Sequence, residues 1–190
     1  MKKNLIPVIL IIGLIILGVF LYNQDASKTE KSADNQIKIG IILGFTGPIE
    51  SLAPVMAKSA ELAIDEVNKS GNFMDGAQLM AVRADSTCVD AAAAQAAAER
   101  LITSDKVSAI MGADCSGVTT AVLKNVAIPN GILMISPSAT SPALSTEPDN
   151  DLFFRTAPSD ARQGEVIADL LMEKGFKTAA LTHTNNDYGK

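Results

Sequence analysis

From Ile37 onward the chain alternates short, unbroken apolar runs with longer stretches of helical spacing, and few architectures accommodate that alternation. IKIGIIL (Ile37 to Leu43) is β-branched and continuous, which suits a parallel strand buried on both faces. It breaks at Gly44 and Gly47-Pro48. Ala53 to Lys69 carries apolar residues at helical spacing and stops at Ser70-Gly71. Ala77 to Asp85 reads as a second strand, and Asp90 caps an Ala-rich helix from Ala91 to about Thr103. Val107 to Met111 is a third strand, Gly117 to about Val126 a third helix, and Ile132 to Ile135 a fourth strand. The order βαβαβαβ implies an α/β fold with a doubly wound parallel sheet and right-handed crossovers.

After a Pro- and Ser-rich stretch from Ser136 to Pro148, Phe153-Phe154-Arg155 reads as a short strand. Ser159 or Asp160 then caps a helix through Lys174, stopped by Gly175, and Thr178 to Thr182 is expected to be another strand. A final strand followed by a loop, with no covering helix, points to an N-terminal portion of a longer protein.

The start of the chain sets the compartment. Met1-Lys2-Lys3 precedes 18 residues without a charge, Leu5 to Tyr22, in the pattern of an export signal. That run is longer than a typical cleaved signal core and close to a membrane-spanning length. No small-x-small cleavage site directly follows it, so residues 1–22 read as a signal sequence or as an uncleaved anchor in contact with the membrane through residues 5–22. Residues 23–36 are polar, without a bulky apolar side chain, and read as a tether. Both outcomes place the body outside the cytoplasm, in a periplasmic or equivalent space. Of the 16 Lys and Arg and 21 Asp and Glu in the chain, only Lys2 and Lys3 fall in the first 22 residues. The rest therefore carries 14 positive against 21 negative side chains, a poor match for a phosphate backbone, and no nucleic-acid partner is expected.

In an open parallel sheet, ligands bind beyond the carboxyl ends of the strands. Those loops hold no GxGxxG, no GxxxxGK[ST] and no GxSxG, so neither a phosphate cradle nor a nucleophile elbow is present in the sequence. The single histidine, His183, reads as a surface-loop residue, and no metal site or cofactor is expected. In GADCSGVTT, Ser116 and Gly117 fall where a helix begins and its free N–H groups suit a carboxylate, although Ser116 also reads simply as a cap. SPSAT (Ser136 to Thr140) gathers three hydroxyls at the next strand end, or forms only a turn. Cys88 and Cys115 lie in adjacent loops. In an exported protein the pair reads as a disulfide, with two free thiols as the alternative.

At these residues the sequence resembles the branched-chain amino-acid (Leu/Ile/Val)-binding proteins, the type I periplasmic binding proteins of ABC transporters. The matching segments are KIGIILGFTGPIE, DSTCVD, GADCSGVTT, GILMISPSATSPAL, FFRTAPSDARQG and NNDYG, in that order, across residues 37–190. The resemblance implies two doubly wound α/β lobes, a first at 37–155 and the start of a second at 156–190. They would close on a free amino acid and deliver it to an ABC permease in the inner membrane. By the same resemblance Ser116 and Thr140 hold the ligand α-carboxylate, and the backbone at Ser138 and Ala139 adds contacts and accepts from the α-ammonium. Tyr188 approaches from the second lobe, and Leu52 stands where relatives present an aromatic residue over the ligand side chain. The second lobe's acidic partner for the ammonium falls beyond Lys190. A membrane-anchored sensor of the same fold is the alternative to a transport protein. An enzyme is not expected, because the loops offer hydroxyls and backbone donors instead of a paired acid and base.

Overall fold

The computed structural model describes residues 35–186, 188 and 189, together with Leu17 and Val19. The rest of the apolar segment at 5–22, and residues 23–34 of the tether, lie outside the described residues. No helix among the described residues is long and apolar enough to cross a membrane.

Five strands, β1 (Gln36–Leu43), β2 (Gln78–Asp85), β3 (Ala109–Gly112), β4 (Leu133–Ser136) and β5 (Phe153–Arg155), form one sheet in the order β2-β1-β3-β4-β5. Every pairing is parallel. Successive side chains of β1 enter opposite layers, which is why it carries no polar side chain from Ile39 to Leu43, where it is most buried. Ile41 and Leu43 pack with Ala53 and Ala57 of helix α1 (Ala53–Ser70). Ile42 joins the larger layer with Ala94, Ala98 and Leu101 of α2 (Ala91–Thr103) and Val118 and Val122 of α3 (Ser116–Val122). The Asp90 carboxylate accepts from the Ala93 N–H at 3.0 Å, the expected cap of α2.

Most element bounds agree with the sequence reading to within two residues. Helix α3 instead runs on through a π-helical turn, Leu123–Ala127, and a last turn, Ile128–Asn130, before Gly131 closes it in the left-handed conformation. The Pro- and Ser-rich stretch contains a 3-10 turn, Pro142–Ser145. Ser159 caps α4 (Asp160–Glu173), its hydroxyl accepting from the Ala161 N–H at 3.3 Å. Thr178 to Thr182, expected as a strand, is irregular, and Leu181 is 96% exposed. A strand exists through bonds to a neighbour, and none of the five strands lies beside this segment.

β3 ends at Gly112, paired with Ile42 and held at φ +129°. A Cβ on Gly112 would sit 2.0 Å from the Ile42 carbonyl oxygen. Two central strands therefore approach one another where the chain turns out of the sheet.

Candidate functional site

The direction in which successive strands are added reverses at β1: β2 lies on one side of it, and β3, β4 and β5 on the other. Loops leaving β1 and β3 diverge, and the crevice between their carboxyl ends is where an open parallel sheet binds ligands. A cavity of about 690 Å³ occupies it. Its apolar wall is Pro48, Ile49, Leu52, Val55, Met56 and Val89. Its polar lining is Asp114, Ser116, Ser138, Thr140 and Asp160, and Thr184, Asn186 and Tyr188 also border it. Leu52, Val55 and Val89 are each more than half exposed, at 58%, 65% and 61%.

The loops around the crevice are held by a small set of side chains. Cys88 and Cys115 form a disulfide with Cα atoms 5.2 Å apart, joining the loop after β2 to the start of α3. Asp114, almost fully buried, accepts from the Gly44 N–H at 2.7 Å, the Ser86 hydroxyl at 3.2 Å and the Cys115 N–H at 3.0 Å. One carboxylate thus ties the loops after β1, β2 and β3 together. Burial pushes the Asp114 carboxyl above its usual range, against the pull of its donors. A raised native value means that the native state binds more protons than the unfolded chain, so stability falls as pH rises from the unfolded carboxyl value of about 3.9 through the native one. Asp114→Asn removes that titration. In urea unfolding, the stability of the Asn variant relative to the native protein should therefore improve steadily with rising pH across this window, and a pH-independent difference would contradict the assignment.

The segment from Ser136 to Ser141 has two differently used edges. Its carbonyls face the chain around β5 and the start of α4. Ser136 O accepts from the Thr156 N–H at 3.1 Å, Pro137 O from the Thr156 hydroxyl at 3.2 Å, and Thr140 O from the Asp160 N–H at 2.9 Å. Ala139 O and Ser141 O accept from one Arg155 nitrogen, at 3.3 and 2.8 Å. Only the Ser138 carbonyl in this stretch has no donor among the described residues. The amides face inward: Ala139 N–H donates to Ser136 Oγ at 2.9 Å, and the Thr140 and Ser141 N–H groups both donate to Ser116 Oγ at 3.2 Å.

These bonds define what each residue can offer. Ser116 is buried with both lone pairs taken, so its hydroxyl proton is its remaining capacity. It opens α3 beside the unpaired first-turn amides of that helix, which suits an anion. Thr140 Oγ1 donates to Asp160 Oδ2 at 2.8 Å. Ser138 lines the cavity while its hydroxyl donates to Asp114 O at 2.9 Å. Ala139 is fully buried behind the wall, with its N–H on Ser136 and its carbonyl on Arg155. Leu52 and Tyr188 line the cavity from opposite sides in sequence. His183 is exposed, with Nδ1 3.0 Å from Thr184 O, and is not a wall residue.

Asp114 and Asp160 were missed as wall residues by sequence reasoning. The signal for Asp160 was present: with Ser159 already serving as cap of α4, a second polar residue in the first turn is free to reach elsewhere. Asp114 had no such signal, since its three donors come from three separate loops. No group of three or more His, Cys, Asp or Glu side chains among the described residues could hold a metal ion.

A family model for periplasmic binding proteins matches residues 36–190. The leucine-, isoleucine-, valine-, threonine- and alanine-binding protein of Pseudomonas aeruginosa is 35% identical over 159 residues, 83% of this chain and 41% of that protein. Leu/Ile/Val-binding protein homolog 3 of Brucella melitensis is 32% identical over 155 residues, 81% of this chain and 41% of its own length. Among solved structures, the branched-chain amino acid transporter substrate binding protein LivJ of Streptococcus pneumoniae, in complex with isoleucine, superposes with a TM-score of 0.65 at 35% identity. That match covers 73% of this chain and 38% of LivJ. The chain spans about two-fifths of the length of the curated relatives it matches.

Proposed function

The chain belongs to the periplasmic binding protein family, and from that footing we propose that it is the substrate-capturing part of an extracytoplasmic binding protein for a branched-chain or related amino acid, serving an ABC permease. The observation that carries this reading is a cavity lined both by a set of apolar side chains, Ile49, Leu52, Val55 and Val89, and by a set of polar groups, Ser116, Ser138, Thr140 and Asp160. A free aliphatic amino acid has the same two kinds of surface.

The ligand carboxylate meets the Ser116 hydroxyl and the first-turn amides of α3. Its ammonium meets the free Ser138 carbonyl and the Asp160 carboxylate. Once the ammonium satisfies Asp160, the Thr140 proton is released to turn toward the ligand carboxylate, so the two charged ends of one ligand are compensated together. The side chain lies against Leu52, Val55 and Ile49. Residues 37–155 form the first lobe and 156–190 begin the second, from which Tyr188 approaches. Closure of two lobes desolvates both charges only when each has its partners. The family and the disulfide support an extracytoplasmic location. The relatives named above are binding proteins, which supports a non-enzymatic role.

Calorimetric titration of the full-length protein with leucine, isoleucine and valine tests the reading, with a micromolar or tighter Kd expected for at least one of them. Thr140→Ala should weaken that binding by about 1 to 3 kcal/mol, the usual loss for a hydrogen bond to a charged group, and leave the circular dichroism spectrum unchanged. Affinities no tighter than millimolar for all three amino acids would overturn the proposal. Unchanged affinity in Thr140→Ala would remove Thr140 from the site.

A further inference from the structure

We infer that Arg155, which lies outside the cavity wall, is a positioning residue: it holds the Ala139–Thr140 peptide, one of the two that orient the Ser116 hydroxyl, and the Ser141 carbonyl that flanks the other. The inference rests on the amino-acid-binding reading for its consequence in affinity, and on geometry alone for its local effect.

A trans peptide is a rigid plane whose C=O and N–H point in opposite directions. The Ala139–Thr140 peptide has its carbonyl 3.3 Å from the Arg155 guanidinium and its N–H 3.2 Å from Ser116 Oγ. Holding one end fixes the other. The next peptide repeats the arrangement, with Thr140 O on the Asp160 N–H at 2.9 Å and the Ser141 N–H on Ser116 Oγ at 3.2 Å. The carbonyl that follows, Ser141 O, returns to the same Arg155 nitrogen at 2.8 Å. A second guanidinium nitrogen reaches Ser145 Oγ, so three points between residues 139 and 145 hang on one planar, permanently charged group.

Both amides pinned in this way end on the oxygen of Ser116. With its lone pairs filled by them, that oxygen can face the cavity only with its proton, so Arg155, through one peptide, and the Asp160 N–H, through the other, make the residue donate to an anion instead of accepting from a cation. Arg155 is also the last residue of β5, immediately before the chain leaves for α4. The Asp160 N–H, in the first turn of α4, ties that helix to the Thr140 carbonyl of the same segment at 2.9 Å.

The test uses Arg155→Met in the full-length protein, with Arg155→Lys as a charge-conserving companion that guards against misfolding. In ligand-free protein, hydrogen exchange at the Thr140 and Ser141 amides should accelerate at least tenfold in Arg155→Met and by less in Arg155→Lys, while the Ile41 and Ile110 amides keep their protection. Leucine affinity should fall about tenfold in Arg155→Met, but less than threefold when the same change is made in Ser116→Ala, because the route through Ser116 is already gone. Unchanged exchange at Thr140 and Ser141, equal acceleration at all four amides, or the same loss of affinity in both backgrounds would overturn the inference. If the unaltered protein binds no aliphatic amino acid, the proposed ligand class fails, and the exchange measurement still decides the role of Arg155.

Discussion

Gly112→Ala is expected to cost about 4 kcal/mol of folding stability. Two independent penalties combine. At φ +129° a residue with a Cβ is strained, at about 1 to 3 kcal/mol. The new methyl would also meet the Ile42 carbonyl oxygen at 2.0 Å and the Ile42 Cγ2 at 2.8 Å, so β1 and β3 must separate, with an overpacking penalty of about 1 to 3 kcal/mol. Because a domain of this kind has only about 5 to 15 kcal/mol in total, the variant should unfold at a much lower urea concentration. Gly131→Ala is the control. Gly131 also has positive φ, +65°, but nothing lies within 4 Å of its would-be Cβ, so it should lose only about 1 to 2 kcal/mol. Equal losses in the two variants would show that the contact with Ile42 contributes nothing.

Removing the Cys88–Cys115 disulfide, by reduction or as the double serine variant, should lower stability by about 3 to 4 kcal/mol in the chain-entropy picture. The bridge closes a loop between residues 27 apart in sequence, and its absence frees that loop in the unfolded chain. Urea unfolding with and without dithiothreitol measures the effect, and a loss below about 1 kcal/mol would mean that the loops after β2 and β3 are held chiefly by other contacts, Asp114 foremost. The two readings are separable: Asp114→Asn changes the pH dependence of stability, whereas the disulfide does not titrate.

Much of the fold follows from neighbouring residues alone. The Ile37 to Leu43 run, the Asp90 cap and the Gly71 and Gly175 stops each act within a turn or two of themselves. Helix and strand identity were accordingly right from β1 to α4. The strand expected at Thr178 to Thr182 failed for the complementary reason: its pattern is suitable, but a strand is completed by bonds to another strand, and local composition cannot supply one. The π-helical turn that prolongs α3 likewise has no local signature, since LKNVA suits an ordinary helical turn equally well.

The same division runs through the site. Ser116 and the Ser136 to Thr140 segment stood out because hydroxyls at strand ends and helix starts have a positional meaning, their ligand roles came from the family resemblance, and the cysteine pair was legible because an exported chain seldom keeps two free thiols. Asp114, Asp160 and Arg155 could not be placed that way. Asp114 bonds to Gly44 across 70 residues, Asp160 to Thr140 across 20 and Arg155 to Ala139 across 16. Period, capping and turn chemistry are local forces, and they suffice to set the kind of element at each position and the loops that could carry chemistry. Which side chains meet in those loops was decided only by the strand order β2-β1-β3-β4-β5, since that order arises from packing the whole sheet between its helices and brings together residues that no local force relates.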